Sequence, residues 1–163
     1  MKTLLLLRHA KSSWEDSSLS DHDRPLNHRG RRDAPRMGQL LQEKNLVPDL
    51  ILSSTAKRAR KTAEKVAQAC DYKGEIEYVP ELYDSDISIY QQALARQGGN
   101  FERILIIGHN PDIEHFLQSL TGCWEKMPTA ALAHLQLAID GWEEVSSGGE
   151  GKLLSLWRPK ELP

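Results

Sequence analysis

The sequence has no long hydrophobic run. Its most apolar stretch is the leucine run Leu4–Leu7, whereas a membrane-spanning helix needs about 20 apolar residues. No small-residue cleavage site follows the run, as it would in a secretory signal peptide. Cysteine is scarce too, and the widely separated Cys70 and Cys123 predict two buried thiols rather than a disulfide or a metal site. We therefore expect a soluble, cytoplasmic protein with no membrane partner.

A large excess of charge of one sign is also missing. Lysine and arginine together number 21 against 23 aspartates and glutamates, and the net charge is −2. This balance argues against a broad basic surface for nucleic acid. No repeat or low-complexity tract occurs, and the densest glycine stretch, Ser146–Lys152, is typical of a hairpin loop rather than a linker. We expect a single domain over residues 1–163, in which any anion site comes from local clusters of basic side chains.

Strand and helix patterns alternate along most of the chain. The continuous apolar run at Thr3–Leu7 predicts a central strand buried on both faces. Further strands are expected at Asp49–Ser53, Ile76–Val79 and Arg103–Ile107, with helical periodicity after each. Alternating apolar residues near the end of the chain indicate two antiparallel strands. This order predicts a three-layer α/β/α sandwich with a mostly parallel central sheet and an antiparallel C-terminal edge.

The first predicted helix carries Ala34, Met37 and Leu41 at helical spacing. Asn27 is a candidate cap for its start. Pro35 lies inside the pattern and predicts either a kink or a delayed start of the helix.

Chemically active side chains follow the predicted strands at their carboxyl ends. In open parallel sheets, ligands bind at this edge. Loops that are far apart in the sequence would meet there. The side chains are Arg8, His9, Lys11 and Ser12 after the first strand, Arg58 about one turn into the helix after the second, Glu81 and Tyr83 after the third, and His109 and Asn110 after the fourth.

These residue types suit the transfer of a phosphoryl group. The planar fork of arginine binds phosphate oxygens bidentately, and Asn110-Pro111 has the form of a helix start, whose free N–H groups attract anions. A neutral imidazole is a competent nucleophile, and nearby cations disfavour its protonation. The set therefore predicts a phosphohistidine intermediate. No metal or cofactor is expected, because side chains supply the positive charge.

Each of these features also has an ordinary structural explanation. A lone histidine after a strand is commonly a capping or core residue, Arg58 alone is typical of a solvated helix face, and the GHNP stretch alone could be a simple turn. Metal binding by the histidines is a further alternative. However, His22/His28 and His109/His115 do not have the spacing of typical ligand pairs. The joint placement at four strand ends favours a site.

Four segments, in order, resemble the histidine phosphatase superfamily, which includes the phosphoglycerate mutases. RHAKS is similar to the RHG-type signature, although Ala10 stands where the family has glycine. The short stretch between Ser54 and Glu81 leaves no room for the helical insertion that covers the site in the mutases, so mutase activity is not expected. The combination resembles the small SixA-type phosphohistidine phosphatases. The four segments are Arg8–Ser12, Arg24–Ala34, Ser53–Ala63 and Gly108–Pro111.

The resemblance implies a role for each matching residue. His9 would be the nucleophile, with Arg8 and Arg58 clamping the phosphoryl oxygens and His109 stabilising the charge that develops on them. Ser12 and Asn110 would contribute to substrate binding, with a turn-capping role as the alternative for Ser12. Asn27 and Gly30 would open a helix. Glu81 matches the proton donor of larger relatives, and Asp21 and Asp23 are the alternatives to it.

The resemblance implies a phosphatase that removes phosphate from phosphohistidine in signalling proteins. An imidazole has a pKa of about 6.5 and departs easily, so such an enzyme needs only a weak proton donor or none. One alternative is a broad phosphatase of small phosphate esters, which would need a proton donor. Another is a catalytically silent module that binds phosphoproteins. In each case the partner is a phosphate-bearing molecule.

Overall fold

The computed structural model describes residues 1–147 and 151–163. These residues form six strands and four α-helices, with short 3-10 helices at Asp21–Asp23, Pro80–Leu82, Trp142–Ser147 and Pro159–Glu161. The strands are β1 (Lys2–Arg8), β2 (Leu50–Ser53), β3 (Ile76–Tyr78), β4 (Arg103–Gly108), β5 (Leu132–Leu137) and β6 (Gly151–Trp157). The helices are α1 (His28–Glu43), α2 (Lys57–Ala69), α3 (Ile87–Gln97) and α4 (Asp112–Thr121).

All six strands form one sheet in the order β3-β2-β4-β1-β5-β6. The first four in this order run parallel to one another, whereas β5 pairs antiparallel with both β1 and β6. The predicted sandwich, with its antiparallel C-terminal edge, is therefore confirmed. Of the glycine-rich hairpin loop predicted over Ser146–Lys152, residues 148–150 lie outside the described residues, whereas Ser146 and Ser147 end a 3-10 helix and Gly151 and Lys152 begin β6.

The leucine run of β1 supplies both faces of the sheet. Leu4 and Leu6 pack in one core with α3 and α4, and Leu5 and Leu7 pack in a second core with α1 and α2. All four side chains are fully buried, because successive side chains of a strand point to opposite faces. A central strand covered on both sides holds its carboxyl end rigidly in place.

Helix α1 begins where the cap was predicted. The Asn27 side chain accepts a hydrogen bond from the Gly30 N–H at 2.9 Å, and the helix then runs through Pro35 to Glu43. Pro35 therefore does not delay its start. A side chain at Gly30 would collide with the backbone of Lys11, so glycine allows α1 to lie directly against the loop that follows β1.

The prediction that both cysteines are buried is wrong for one of them. Both cysteines are free thiols and Cys70 is buried as expected, but Cys123 is exposed in the turn after α4. The helix ends there at Gly122, which has a left-handed φ of 77°, and the chain leaves the core at that point.

Within the described residues, no helix is both long enough and apolar enough to cross a membrane.

Candidate active site

The site lies where β1, β4 and β2 end side by side. His9 follows β1 and His109 follows β4, and their rings stand 5.0 Å apart, centroid to centroid. The backbone N–H of His9 donates a hydrogen bond to the Gly108 carbonyl at 3.0 Å. Ser54, which follows β2, accepts from or donates to His109 Nε2 at 2.8 Å. Three neighbouring strands thus bring two imidazoles together.

An open cleft of about 360 Å³ lies at this edge of the sheet. Its walls contain six of the seven side chains to which the resemblance assigns a catalytic or substrate-binding role. These are Arg8, His9, Ser12, Arg58, His109 and Asn110.

The His9 ring is buried and held in one tautomer. Only 7% of the residue is exposed, and Nδ1 lies 2.8 Å from the Ala10 carbonyl oxygen. Because a carbonyl oxygen only accepts hydrogen bonds, Nδ1 carries the proton and Nε2 keeps its lone pair. Thr62 fixes this loop, since its hydroxyl accepts from the Ala10 N–H at 2.9 Å and donates to the Arg58 carbonyl. The lone pair on Nε2 is what a nucleophile needs.

Both imidazoles are uncharged at neutral pH. Burial holds the pKa of His9 well below its usual range, and His109, Arg58 and Arg8 lower it further by electrostatic repulsion. Burial also lowers the pKa of His109 to about 4, with Arg58 and Arg8 adding to the effect. A desolvated imidazole among cations loses its proton easily. A neutral imidazole of this kind needs no base to deprotonate it before it can act as a nucleophile.

We expect this depression of the pKa values to be visible by NMR. On titration of the ring protons, the His109 signal should move with a midpoint near pH 4, and the His9 midpoint should also lie below the ordinary 6.5. The turnover rate should accordingly persist as the pH falls from 7 through 6.5, because His9 stays neutral. A His9 or His109 midpoint at or above 6.5 would contradict the electrostatics described here.

Two arginines offer buried N–H groups to an anion. Arg8 Nη1 donates to the Met127 carbonyl at 3.2 Å, and Arg58 donates from both Nη atoms to Asp21. Within the described part of the chain, however, Nε of Arg8 and Nε of Arg58 are buried without a hydrogen-bond partner. Since buried donors are normally paired, these groups fit the oxygens of a bound phosphoryl group.

Asp21 anchors Arg58 rather than donating a proton. Its carboxylate lies 3.0 Å from Arg58 Nη2, and the Tyr83 hydroxyl donates to the same oxygen at 2.6 Å. The hydrogen bond from Tyr83 is the main reason that the pKa of Asp21 is lowered to about 2, and the hydrogen bond from Arg58 adds a smaller effect in the same direction. An acid this strong is ionised at neutral pH. Asp21, an alternative proton donor in the sequence, therefore serves to hold the guanidinium in position.

Arg24 is a third arginine of the cleft, and the pattern of strand ends does not predict it. It lies in the loop between β1 and α1, donates to the Ser12 hydroxyl at 2.8 Å and pairs with Asp21 at 3.2 Å. Ser12 is thus a partner of Arg24, while also lining the cleft. The RPL segment that resembles the family motif was the one sequence signal for Arg24. No periodic pattern marked it.

The structure does not bring Glu81 to the cleft. Glu81 is exposed in the 3-10 helix Pro80–Leu82 and lines a separate hollow beside α3. The reason lies in the sheet order, because β3 is the edge strand, with β2 and β4 between it and β1. Asp23, the other alternative, is exposed beside His22, 3.6 Å from its ring, and also lies outside the cleft.

We expect Glu81→Gln to leave kcat/KM unchanged within about twofold, because a proton donor must lie within hydrogen-bond reach of the group that it protonates and Glu81 does not line the cleft. The measurement is a comparison with the unaltered protein on a phosphohistidine donor and on a phosphate ester. A loss of about tenfold or more on the ester would restore Glu81 as a proton donor.

Asn110 does not cap α4 as predicted. The helix begins at Asp112, with Pro111 in the capping position and no side-chain cap. The Asn110 amide instead donates to the Met127 carbonyl at 2.9 Å, the same carbonyl that Arg8 contacts. Asn110 therefore ties the end of β4 to the segment before β5, while still lining the cleft.

Comparison with known proteins agrees with this geometry. Residues 4–102 match the histidine phosphatase superfamily (branch 1). An uncharacterised chloroplastic protein of Arabidopsis thaliana is 35% identical over 97% of this chain and 78% of its own length. A candidate phosphohistidine phosphatase, SixA from Agrobacterium tumefaciens, superposes with a TM-score of 0.81 at 29% identity, over 97% of this chain and 98% of its own. The protein histidine phosphatase SixA in complex with tungstate shares the fold, with a TM-score of 0.82 at 24% identity over 99% of each chain. The chain belongs to the histidine phosphatase superfamily.

Proposed function

We propose that this protein is a metal-independent phosphatase that removes the phosphoryl group from phosphohistidine in another protein, by way of a phosphohistidine formed on His9. The observation that carries the proposal is the neutral His9 ring, whose unprotonated Nε2 shares one cleft with the guanidinium groups of Arg8 and Arg58. The likeness to the Agrobacterium protein supports this choice of substrate. A cytoplasmic location, expected from the sequence, is part of the same proposal.

In the first step His9 Nε2 attacks phosphorus and the bond between phosphorus and the substrate nitrogen breaks. The electron pair of that bond leaves with the substrate ring, which takes a proton from water and so departs as neutral imidazole, leaving hydroxide. Arg8, Arg58 and His109 donate hydrogen bonds to the nonbridging oxygens, over which the negative charge is spread in the transition state. His109 can do so as a neutral ring, since one ring nitrogen carries a proton.

In the second step water attacks the phosphorus of phospho-His9. The P–N bond to His9 breaks and its electron pair returns to Nε2, so that the ring is neutral again. The attacking water gives up a proton, which neutralises the hydroxide left by the first step, and inorganic phosphate leaves. The same donors stabilise the second transition state, because it carries the same charge on the same oxygens. An open cleft favours this step, since it admits water.

Neither Asp21 nor Glu81 is suited to protonate the leaving group of an ester, which favours phosphohistidine as the substrate. An alkoxide leaving group needs a proton donor, but Asp21 has a pKa of about 2 and Glu81 lies elsewhere. Imidazole leaves without such help.

A hydrolase for small phosphate esters is the second candidate function. It is favoured by one observation, that burial raises the pKa of Asp112, which lines the cleft and accepts two hydrogen bonds from Ser85.

The two functions are separated by comparing kcat/KM on a protein phosphorylated on histidine with kcat/KM on a panel of sugar phosphates and phosphoserine. We expect a preference of at least about tenfold for the phosphohistidine protein. A preference for esters that disappears in Asp112→Asn would establish the second function instead. Tight phosphate binding without turnover of any donor would indicate a binding module.

A further inference from the structure

Trp14 is an exposed tryptophan at the candidate active site. It lines the same cleft as His9 and Arg58, yet 72% of the residue is exposed. A large aromatic side chain normally contributes its area to a core. An indole left in solvent beside a reactive centre points to something that covers it when substrate binds.

The loop that carries Trp14 is fixed at its base. Ser12 pairs with Leu26 in an antiparallel bridge, and the Ser13 N–H donates to the Pro25 carbonyl at 2.8 Å. The chain between these contacts is a loop that lines the cleft through Trp14, Asp21 and Arg24. Trp14 is thus one residue beyond a firmly held anchor.

The guanidinium of Arg24 stacks on one face of the Trp14 indole. The guanidinium carbon lies 3.4 Å from the centroid of the Trp14 ring. Arg24 is itself only 8% exposed and is fixed by Ser12 and by Asp21. A ring stacked on an immobile cation loses little freedom on binding. Trp14 is therefore exposed but pre-organised, as aromatic anchors of binding surfaces are.

We propose that Trp14 determines specificity by packing against the group that carries the phosphoryl, namely the imidazole of phosphohistidine and the polypeptide around it. This inference rests on the proposed function. The cleft of about 360 Å³ holds a phosphoryl group and a ring, and the exposed indole extends the contact surface beyond it. The indole of Trp14, at the mouth of the cleft, gains binding free energy by packing against a flat imidazole ring and the backbone that carries it. It gains none from a donor whose leaving group is ammonia.

The test compares Trp14→Ala, Trp14→Phe and the unaltered protein on two donors with a P–N bond. One is phosphoramidate, which has no ring, and the other is a protein phosphorylated on histidine. For Trp14→Ala we expect kcat/KM to fall roughly 30-fold on the protein, the scale of a truncated aromatic anchor, and to change less than about twofold on phosphoramidate. Trp14→Phe should recover most of the loss, since it keeps an aromatic ring.

Trp124→Ala is the matched control. Trp124 is also an exposed tryptophan, at 56%, but it does not line the cleft, so its removal should leave both donors unaffected. An equal loss on both donors in Trp14→Ala would overturn the inference, because it would mean that Trp14 acts by supporting Arg24. No loss on either donor would overturn it as well. Wild-type protein that turns over phosphoramidate and esters but not phosphohistidine protein would refute the proposed function, and the inference with it.

Discussion

Replacing His9 by alanine should reduce kcat/KM for every phosphoryl donor by at least about 10⁴-fold, the scale on which enzymes lose activity when their nucleophile is removed. The reason is that the variant has no group to accept the phosphoryl. His109 does not substitute, because its Nε2 is engaged with Ser54 at 2.8 Å. The assay is steady-state turnover of a phosphohistidine protein, together with brief exposure to labelled donor. The wild-type protein should acquire label that is stable to base and labile to acid, as the P–N bond of phosphohistidine requires.

The labelled residue should be His9, identified by mass spectrometry under basic conditions. His115→Ala is the control, because His115 is exposed on α4 and does not line the cleft. It should keep both full turnover and full labelling. Thermal unfolding of each variant separates loss of chemistry from loss of fold. Turnover by His9→Ala above about one per cent of wild type, or label on another residue, would contradict the proposed intermediate.

The sequence allowed the frame of this site to be predicted because strand ends are easy to find. The leucine run predicts β1 and therefore places Arg8 and His9 at its carboxyl end, and the run at Arg103–Ile107 does the same for His109. These strands are neighbours in the sheet. Parallel neighbours bring their carboxyl ends to one edge, so proximity in space followed from the pattern.

The residues that support the frame could not be predicted in this way. Asp21 and Arg24 lie in an irregular loop, where no hydrophobic period indicates which side chain turns inward. The contact from Asp21 to Arg58 joins residues 37 positions apart, and nothing in either segment marks the other as a partner. Trp14 is similar, because its exposure depends on how that loop folds back. Family resemblance identified the RPL segment without assigning Arg24 a contact.

The prediction for Glu81 shows why strand order matters. The sequence places Glu81 correctly just after the third strand, since β3 ends at Tyr78 and Glu81 follows in a short 3-10 helix. What the sequence could not fix is that β3 forms the sheet edge. Tyr83, two residues further along, does reach the cleft and bonds Asp21. The segment therefore contributes a phenol to the site and leaves its carboxylate outside.

Replacing Arg58 by alanine should lower kcat/KM roughly 10³-fold, the lower end of what a positioned arginine contributes to phosphoryl transfer. Arg58 supplies a buried cation whose Nε has no partner among the described residues, and Asp21 fixes its direction through both Nη atoms. In the transition state the three nonbridging oxygens move into one plane around phosphorus, and a fixed planar donor can match that arrangement better than the tetrahedral ground state, so kcat should fall more than KM rises. Steady-state kinetics on phosphoramidate measures this split without interference from protein docking.

Arg58→Lys should recover little of the loss, which distinguishes geometry from charge. Lysine keeps the positive charge, but a single ammonium cannot engage Asp21 and a phosphoryl oxygen through a planar fork. Arg60→Ala is the matched control on the same helix, since Arg60 contacts the Thr55 carbonyl at 3.0 Å and does not line the cleft. It should leave kcat unchanged. Full activity in Arg58→Lys would mean that Arg58 acts only as a point charge, and that its anchoring by Asp21 has no part in catalysis.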